Sequence, residues 1–254
     1  MNILITICGR AGSKGVRSKN IRELCGIPLI YYTVATALQF KNNNPVHSVD
    51  ICVNSDSEPL LQLVRSIQGV TCVKRPEELA RDDSPKIPVI THSVTMMEHN
   101  TGTHYDRVID LDITSPLRKV EDIESALSKL ESNDAADVVF SVVHARRNPY
   151  FNMVETHEGV SRKIIDSTFV TRQQAPQVYD MNASIYCYRR SSLVNRISRS
   201  PFDGSFDIVL MQDTAVLDID SEEDFELMEV LGAHYFQREF RLLRDKASEL
   251  LRKG

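Results

Sequence analysis

An α/β fold, with a mostly parallel sheet covered by helices on both faces, is what this sequence predicts. Two observations carry that expectation. Short β-branched runs alternate with stretches whose apolar residues recur at three- and four-residue spacing, the pattern of strand–helix–strand units. A glycine-rich, basic loop also follows directly on the first such run. Sheets of this kind bind ligands there, beyond the carboxyl ends of their strands. The 254 residues suffice for one such domain with an insertion, or for two domains.

Taken in order, Asn2-Ile3-Leu4-Ile5-Thr6-Ile7 reads as a buried first strand. Pro28 opens a helix over 29–40, where its missing N–H costs nothing. Strands are predicted at 48–53, 70–74, 107–111 and 137–143, with helices at 58–67, 87–98 and 120–130. The rhythm breaks from 144 to 180. There Arg146-Arg147-Asn148-Pro149-Tyr150 and the runs 151–154, 160–165 and 169–172 suggest a β-rich excursion from the main sheet. The regular pattern resumes at 183–188 and 214–219. A helix over 222–236 follows, with Ser221 and Asp224 at capping-box distance. A last amphipathic helix, 240–251, carries Arg241, Arg244 and Lys246, with Arg252 and Lys253 just beyond, and reads as a solvated face.

Composition narrows the function classes. A net charge of −5 argues against a dedicated nucleic-acid binder, whose footprint is a basic surface. The five cysteines Cys8, Cys25, Cys52, Cys72 and Cys187 are scattered, without any Cys-x-x-Cys spacing. Cys52 and Cys72 sit in apolar stretches and read as small core residues. With neither a charged-then-apolar leader nor an apolar run of membrane-spanning length, a soluble cytoplasmic protein with no membrane partner is expected.

The chemistry concentrates in the run 8–20, Cys8-Gly9-Arg10-Ala11-Gly12-Ser13-Lys14-Gly15-Val16-Arg17-Ser18-Lys19-Asn20. Three glycines and a serine let the backbone turn its N–H groups toward one spot, and Arg10, Lys14, Arg17 and Lys19 surround that spot with four positive charges. Polyphosphate oxygens need such donors and charge, with no Cβ in the way. The residue order fits neither the phosphate loop ending in Gly-Lys-Ser/Thr nor the Gly-x-Gly-x-x-Gly dinucleotide fingerprint.

Two Asp-x-Asp pairs end predicted strands, Asp110-Leu111-Asp112 and Asp218-Ile219-Asp220. Alternate strand residues point the same way, so either pair can aim two carboxylates at a hard cation such as Mg²⁺. Asp is also a common strand terminator and helix cap, and capping work is the alternative reading of Asp220. Arg75-Pro76-Glu77-Glu78-Leu79-Ala80 and Thr114-Ser115-Pro116-Leu117-Arg118 follow the third and fourth strands at the same edge. Their hydroxyl and guanidinium groups can hydrogen-bond a nucleotide and a polar co-substrate, or simply form turns. Arg172-Gln173-Gln174-Ala175-Pro176-Gln177, with Tyr179, Asn182 and Ser184, looks like a sugar-binding wall.

Taken together, these residues resemble the acylneuraminate cytidylyltransferase family, the CMP-sialic acid synthetases and their relatives for bacterial nine-carbon sugar acids. The matching pieces are Gly9 to Asn20 (family form Ala-Arg-x-x-Ser-Lys-Gly-x-x-x-Lys-Asn), Arg75-Pro76 with Leu79-Ala80, and Thr114 to Arg118. Arg172 to Pro176 with Asn182 to Tyr186, and Asp218-Ile219-Asp220, complete the set in family order. The resemblance implies a Rossmann-like sheet of nucleotidyltransferase type over 1–143 and 181–237, an inserted dimerisation element at 144–180, a C-terminal helix at 238–254, and a homodimer. It implies a reaction in which CTP and a 2-keto nonulosonic acid give the CMP-sugar and pyrophosphate. By similarity Arg10, Ser13, Lys14 and Lys19 hold the triphosphate, Asn20 and Arg75 lie on the nucleoside side, and Asp218 and Asp220 carry Mg²⁺. Asp112, Thr114, Ser115, Gln173 and Gln174 lie toward the sugar acid.

Two departures stand out. Many members have Leu-Gln-Pro-Thr-Ser-Pro-Leu-Arg where this chain has Leu111-Asp112-Ile113, and the family glutamine reaches the sugar. An acidic side chain is disfavoured beside a substrate carboxylate unless it meets an amino group, a hydroxyl or a metal. The usual Asn-Gly is Asn182-Ala183, which narrows the room for a positive φ. Two other readings share parts of this pattern. A glycosyltransferase of similar fold would use Asp110 and Asp112 for its metal, and a non-catalytic subunit would bind nucleotide alone.

Overall fold

The computed structural model describes residues 1–12 and 15–253, so Ser13 and Lys14 of the basic loop lie outside the described residues. The strands are β1 (Asn2–Cys8), β2 (Glu23–Leu24), β3 (Ile27–Pro28), β4 (Ser48–Ser55), β5 (Val70–Lys74), β6 (Arg107–Leu111), β7 (Val138–His144), β8 (Val154–His157), β9 (Val160–Lys163), β10 (Tyr179–Arg189) and β11 (Phe206–Leu210). The helices are α1 (Leu29–Asn43), α2 (Glu58–Arg65), α3 (Lys86–Thr101), α4 (Val120–Ser132), α5 (Arg190–Asn195), α6 (Glu222–Tyr235) and α7 (Arg241–Lys253).

Seven strands form one sheet in the order β11-β7-β10-β6-β1-β4-β5. Strand β10 runs antiparallel to both neighbours, and the other pairs are parallel. The chain leaves β1 for β4 and β5 on one side, then returns to β6 on the other. The strand order therefore reverses at β1, and a crevice opens beyond its carboxyl end.

Period-two alternation divides the core between the two faces. Ile3, Ile5 and Ile7, with Val49, Ile51, Val53, Ile109 and Leu111, pack toward α1, α2 and α4. Leu4, Cys52 and Val108 face the other way, against Ile87, Ile90, Val94 and Met97 of α3. Thr6 and Asp110 share the parity of Leu4 and Val108, so they lie on the α3 face, and both are fully buried. Helix α7 packs back on α1, and Phe236 stacks on Tyr32 with ring centroids 4.6 Å apart.

Three sequence expectations need correction. Residues 214–219 form no strand: Asp213–Val216 is a 3-10 turn, and the Ile219 N–H bonds the Thr114 carbonyl 3.1 Å away, not a ladder partner. The strand that joins the sheet instead is β11, in register with β7 from Phe206 on Val138 to Leu210 on Val142. In the excursion, β8 and β9 make a hairpin whose turn residues Glu158 and Gly159 have φ of 51° and 80°, while 169–172 adopts no strand. The excursion leaves and re-enters through adjacent antiparallel strands, with His144 opposite Tyr179. Strand β10 shifts register between Met181 and Tyr186, and Ala183 takes φ 52° inside that irregularity. The five cysteines are free thiols. Among the described residues, no helix is long and apolar enough to cross a membrane.

Candidate active site

The basic loop leaves β1 over two glycines that touch other elements. A Cβ on Gly9 would lie 2.8 Å from Ile113 Cδ1 and 2.9 Å from Leu60 Cδ1. A Cβ on Gly15 would lie 1.7 Å from the Asp220 carbonyl oxygen, far inside any contact distance. The loop therefore lies directly on the Asp218-Ile219-Asp220 segment, and only glycine allows that approach. Ser18, at φ 53°, then turns the chain into a short 3-10 helix, Lys19–Ile21. The Lys19 ammonium donates to the Ile219 carbonyl and to Asp220 Oδ1, the latter at 3.1 Å. Cation and carboxylate, 201 residues apart in the chain, meet here.

Asn20 is buried, and its amide donates to the Arg10 carbonyl at 3.1 Å, fixing the loop's first turn. Arg10 pairs with Asp82 at 2.6 Å, and the Ala11 N–H donates to Asp56 Oδ1 at 3.0 Å. Arg10, Asn20, Asp56, Ser57 and Leu60 line one cleft of about 330 Å³. Arg75 is buried at the same sheet edge, where it donates to the Asn54 side chain at 2.9 Å and to the Asn54 carbonyl at 3.0 Å.

The two acidic pairs differ. At the end of β6 the Lys86 ammonium sits 2.7 Å from Asp110 Oδ2 and 2.7 Å from Asp112 Oδ2. This lysine opens α3, and it supplies the amino group that an acidic residue at position 112 requires. The far oxygens are held as well. Asp110 Oδ1 accepts from Thr6 Oγ1 at 2.7 Å, and Asp112 Oδ1 accepts from the Thr114 N–H at 3.1 Å and hydroxyl at 2.9 Å. Burial pushes the Asp112 carboxyl up, but the Lys86 charge and these hydrogen bonds outweigh it and hold the group down at about 2. Burial likewise opposes the Lys86 charge, yet Asp110 and Asp112 raise its pKa well above the ordinary lysine value. The first pair is thus satisfied by a lysine, not left open for a cation.

The second pair is not satisfied in this way. Asp218 Oδ1 is buried with no hydrogen-bond partner among the described residues. Burial, then the charges of Asp112 and Asp220, push the Asp218 carboxyl up to about 6, while the Thr114 hydroxyl and Lys19 pull the other way. The Asp220 side chain is 79 % exposed and holds Lys19. An orphaned buried carboxylate oxygen, two residues from an exposed carboxylate, suits a hard cation that takes few protein ligands and shares the rest with phosphates. Among the described residues, no group of three or more His, Cys, Asp or Glu side chains forms a fuller metal cage.

Thr114 joins the two acidic segments: its hydroxyl bonds Asp112 and its carbonyl accepts from Ile219. Ser115 is buried, and its hydroxyl has no hydrogen-bond partner among the described residues. Arg118, whose segment reads from sequence either as ligand contact or as a turn, is spent inward. It donates to the Ser184 carbonyl, to Thr33 Oγ1 at 3.1 Å and to the Asp112 carbonyl at 2.6 Å. Burial pulls its pKa down to about 10. Asn182 and Ser184 of the expected sugar wall are also buried, on Ser141 and Arg118 respectively. Gln173 and Gln174 are exposed on the excursion, where Gln174 accepts from the Val170 N–H at 3.2 Å. Among the described residues, neither is hydrogen-bonded to the acidic cluster.

Sequence reasoning missed Lys86, because a single lysine after Ser84-Pro85 carries no local signal. It also missed Asp56 and Asp82, the carboxylates that fix the basic loop.

The cytidylyltransferase family model matches residues 4–240. The chain is 38 % identical over 229 residues to post-translational flagellin modification protein B of Campylobacter coli, covering 90 % of this chain and 94 % of that protein. It is 37 % identical over 229 residues to the CMP-N,N'-diacetyllegionaminic acid synthase of Campylobacter jejuni, with coverage of 90 % and 94 %. Among solved structures, a CMP:2-keto-3-deoxy-manno-octonic acid synthetase complexed with CTP shares the fold. Its TM-score is 0.65 at 17 % identity, covering 92 % of this chain and 99 % of that one. The fold and the match over residues 4–240 agree, and the chain belongs to the cytidylyltransferase family.

Proposed function

We propose that this protein activates a nine-carbon 2-keto sugar acid, N-acylneuraminate, legionaminate or similar, with CTP, giving the CMP-sugar and pyrophosphate. The observation that carries this reading is the contact of the basic loop with the second acidic pair, Gly15 on the Asp220 backbone and Lys19 on its carboxylate. The named activities of the relatives supply the substrate class.

In that reaction the anomeric hydroxyl attacks the α-phosphorus in line. A P–O bond forms, the α–β bridge breaks, pyrophosphate leaves, and the hydroxyl proton passes to solvent. The chemistry asks for positioning and charge stabilisation rather than covalent work by the protein. Arg10, Ser13 and Lys14 hold the triphosphate in this scheme, Arg10 and Lys14 its departing pyrophosphate. Lys19 faces the α-phosphoryl oxygens, exchanging its Asp220 contact for phosphate. Asn20 and Arg75 shape the nucleoside side, and Asp218 and Asp220 hold Mg²⁺. When bound, that ion neutralises the phosphates and lowers the pKa of the attacking hydroxyl. On the sugar side stand Asp112, Thr114 and Ser115, and the family resemblance adds Gln173 and Gln174 of the excursion.

A homodimer is part of the proposal. Val154, Val160 and Val170 are 70 %, 68 % and 76 % exposed on the excursion, the first two on opposite faces of the β8–β9 hairpin, and a second copy would cover such exposed apolar side chains. The rival glycosyltransferase reading needs Asp110 and Asp112 for its metal, and Lys86 occupies that pair. The test is pyrophosphate release from CTP and Mg²⁺ with a panel of nonulosonic acids. Release with at least one acid is expected. Release with none, alongside transfer from a sugar nucleotide, would reverse the assignment.

A further inference from the structure

Lys86 has a consequence beyond neutralising its neighbours. Its ammonium and the carboxylates of Asp110 and Asp112 carry a net charge of −1, so an incoming carboxylate or phosphate meets repulsion there. The group is not an anion receptor. Two carboxylate oxygens converging at 2.7 Å on one point are instead part of the oxygen shell that a divalent cation takes. Both are already aimed, because Thr6 and Thr114 hold the opposite oxygens. Asp110 Oδ2 is buried and has no further hydrogen-bond partner among the described residues. Lys86 also sits in the first turn of α3, where the helix dipole disfavours a cation. Its place there depends on the two carboxylates.

We propose that Lys86 is a built-in cation filling what would otherwise be a second divalent-metal position in the cleft, so that metal enters at Asp218 and Asp220 alone. The closure of the first pair stands on Lys86, Asp110 and Asp112. Only the count of one metal rests on the reading given under the proposed function.

The experiment compares wild type with Lys86→Met and Lys86→Gln, titrated with Mn²⁺ and followed by electron paramagnetic resonance without nucleotide. Each variant is expected to bind one more Mn²⁺ per chain than wild type, and to lose it again when Asp112→Asn is added. Crystals of Lys86→Met soaked in Mn²⁺ should show an anomalous peak between Asp110 and Asp112. Equal Mn²⁺ stoichiometry in wild type and a folded variant overturns the proposal, as does an extra ion indifferent to Asp112→Asn. Should both variants melt early, a rise in their melting temperatures on adding Mn²⁺ larger than wild type's supports it, and no such rise refutes it. Failure of the cytidylyltransferase reading would show separately, as no pyrophosphate release by wild type.

Discussion

Replacing Asp218 by asparagine removes a charge that the fold holds at a cost. The carboxyl lies at about 6, against an ordinary 3.8, because of burial and the nearby charges of Asp112 and Asp220. The folded state therefore binds the proton more tightly than the unfolded chain. Below pH 3.8 both states are protonated and Asp218 costs nothing. As pH rises from 3.8 to about 6, stability falls, and above that it stays reduced by a constant amount. Converted at about 1.4 kcal/mol per pH unit, that amount is roughly 3 kcal/mol, an upper figure because water screens a partly exposed side chain. Metal-free Asp218→Asn should accordingly melt above wild type at pH 8, by up to about 10 °C for a chain of this size. The gain should vanish near pH 4. Mg²⁺ should raise the melting temperature of wild type but not of the variant, and turnover should fall by orders of magnitude. Differential scanning fluorimetry at the two pH values, with and without Mg²⁺, reads all of this. A variant less stable than wild type at pH 8, or a pH-independent difference, refutes the argument that Asp218 is held as a strained, metal-awaiting carboxylate.

Other perturbations act on the framework around it. Gly15→Ala places a methyl where only 1.7 Å separates it from the Asp220 carbonyl oxygen. The loop must retreat by more than about 1 Å, and kcat/KM should drop on the order of 10²-fold with the fold retained. Ala183→Gly relieves a left-handed backbone worth about 1–2 kcal/mol at φ 52° and returns part of it to unfolded-state entropy. A net gain of about 0.5–1 kcal/mol in urea unfolding is expected, and a loss would mean that the methyl packs usefully. Arg118→Leu leaves the Asp112 and Ser184 carbonyls without their donor, and should cost about 2–5 kcal/mol in the same assay.

Much of the architecture was legible because the sheet writes itself in periodicity. Runs such as Asn2–Cys8 and Arg107–Leu111 alternate between two covered faces, and helices such as Leu29–Asn43 begin where a proline and an apolar stripe coincide. The basic loop and the Asp218-Ile219-Asp220 run were legible as chemistry, since four cations in so short a stretch and a paired Asp-x-Asp suit a metal-bound polyphosphate. Their meeting was not legible, because it depends on Gly15 resting on a backbone 205 positions away, a contact without local pattern. Strand β11 was missed because Leu217 and Ile219 offered an equally apolar run nearby. The ladder took Phe206–Leu210, while Ile219 bonded the loop after β6. Arg118, Asn182 and Ser184 read as ligand groups from their chemistry alone. Only burial reveals that Arg118 and Ser184 satisfy one another and the backbone, and that Asn182 accepts from Ser141.

Isothermal titration of the protein with CTP, in the presence and absence of Mg²⁺, reads whether cations and carboxylates grip the triphosphate together. Binding should require Mg²⁺, and Lys19→Met and Asp218→Asn should each weaken it by at least an order of magnitude. Heat of binding unaffected by Mg²⁺ and by both substitutions would contradict that joint grip.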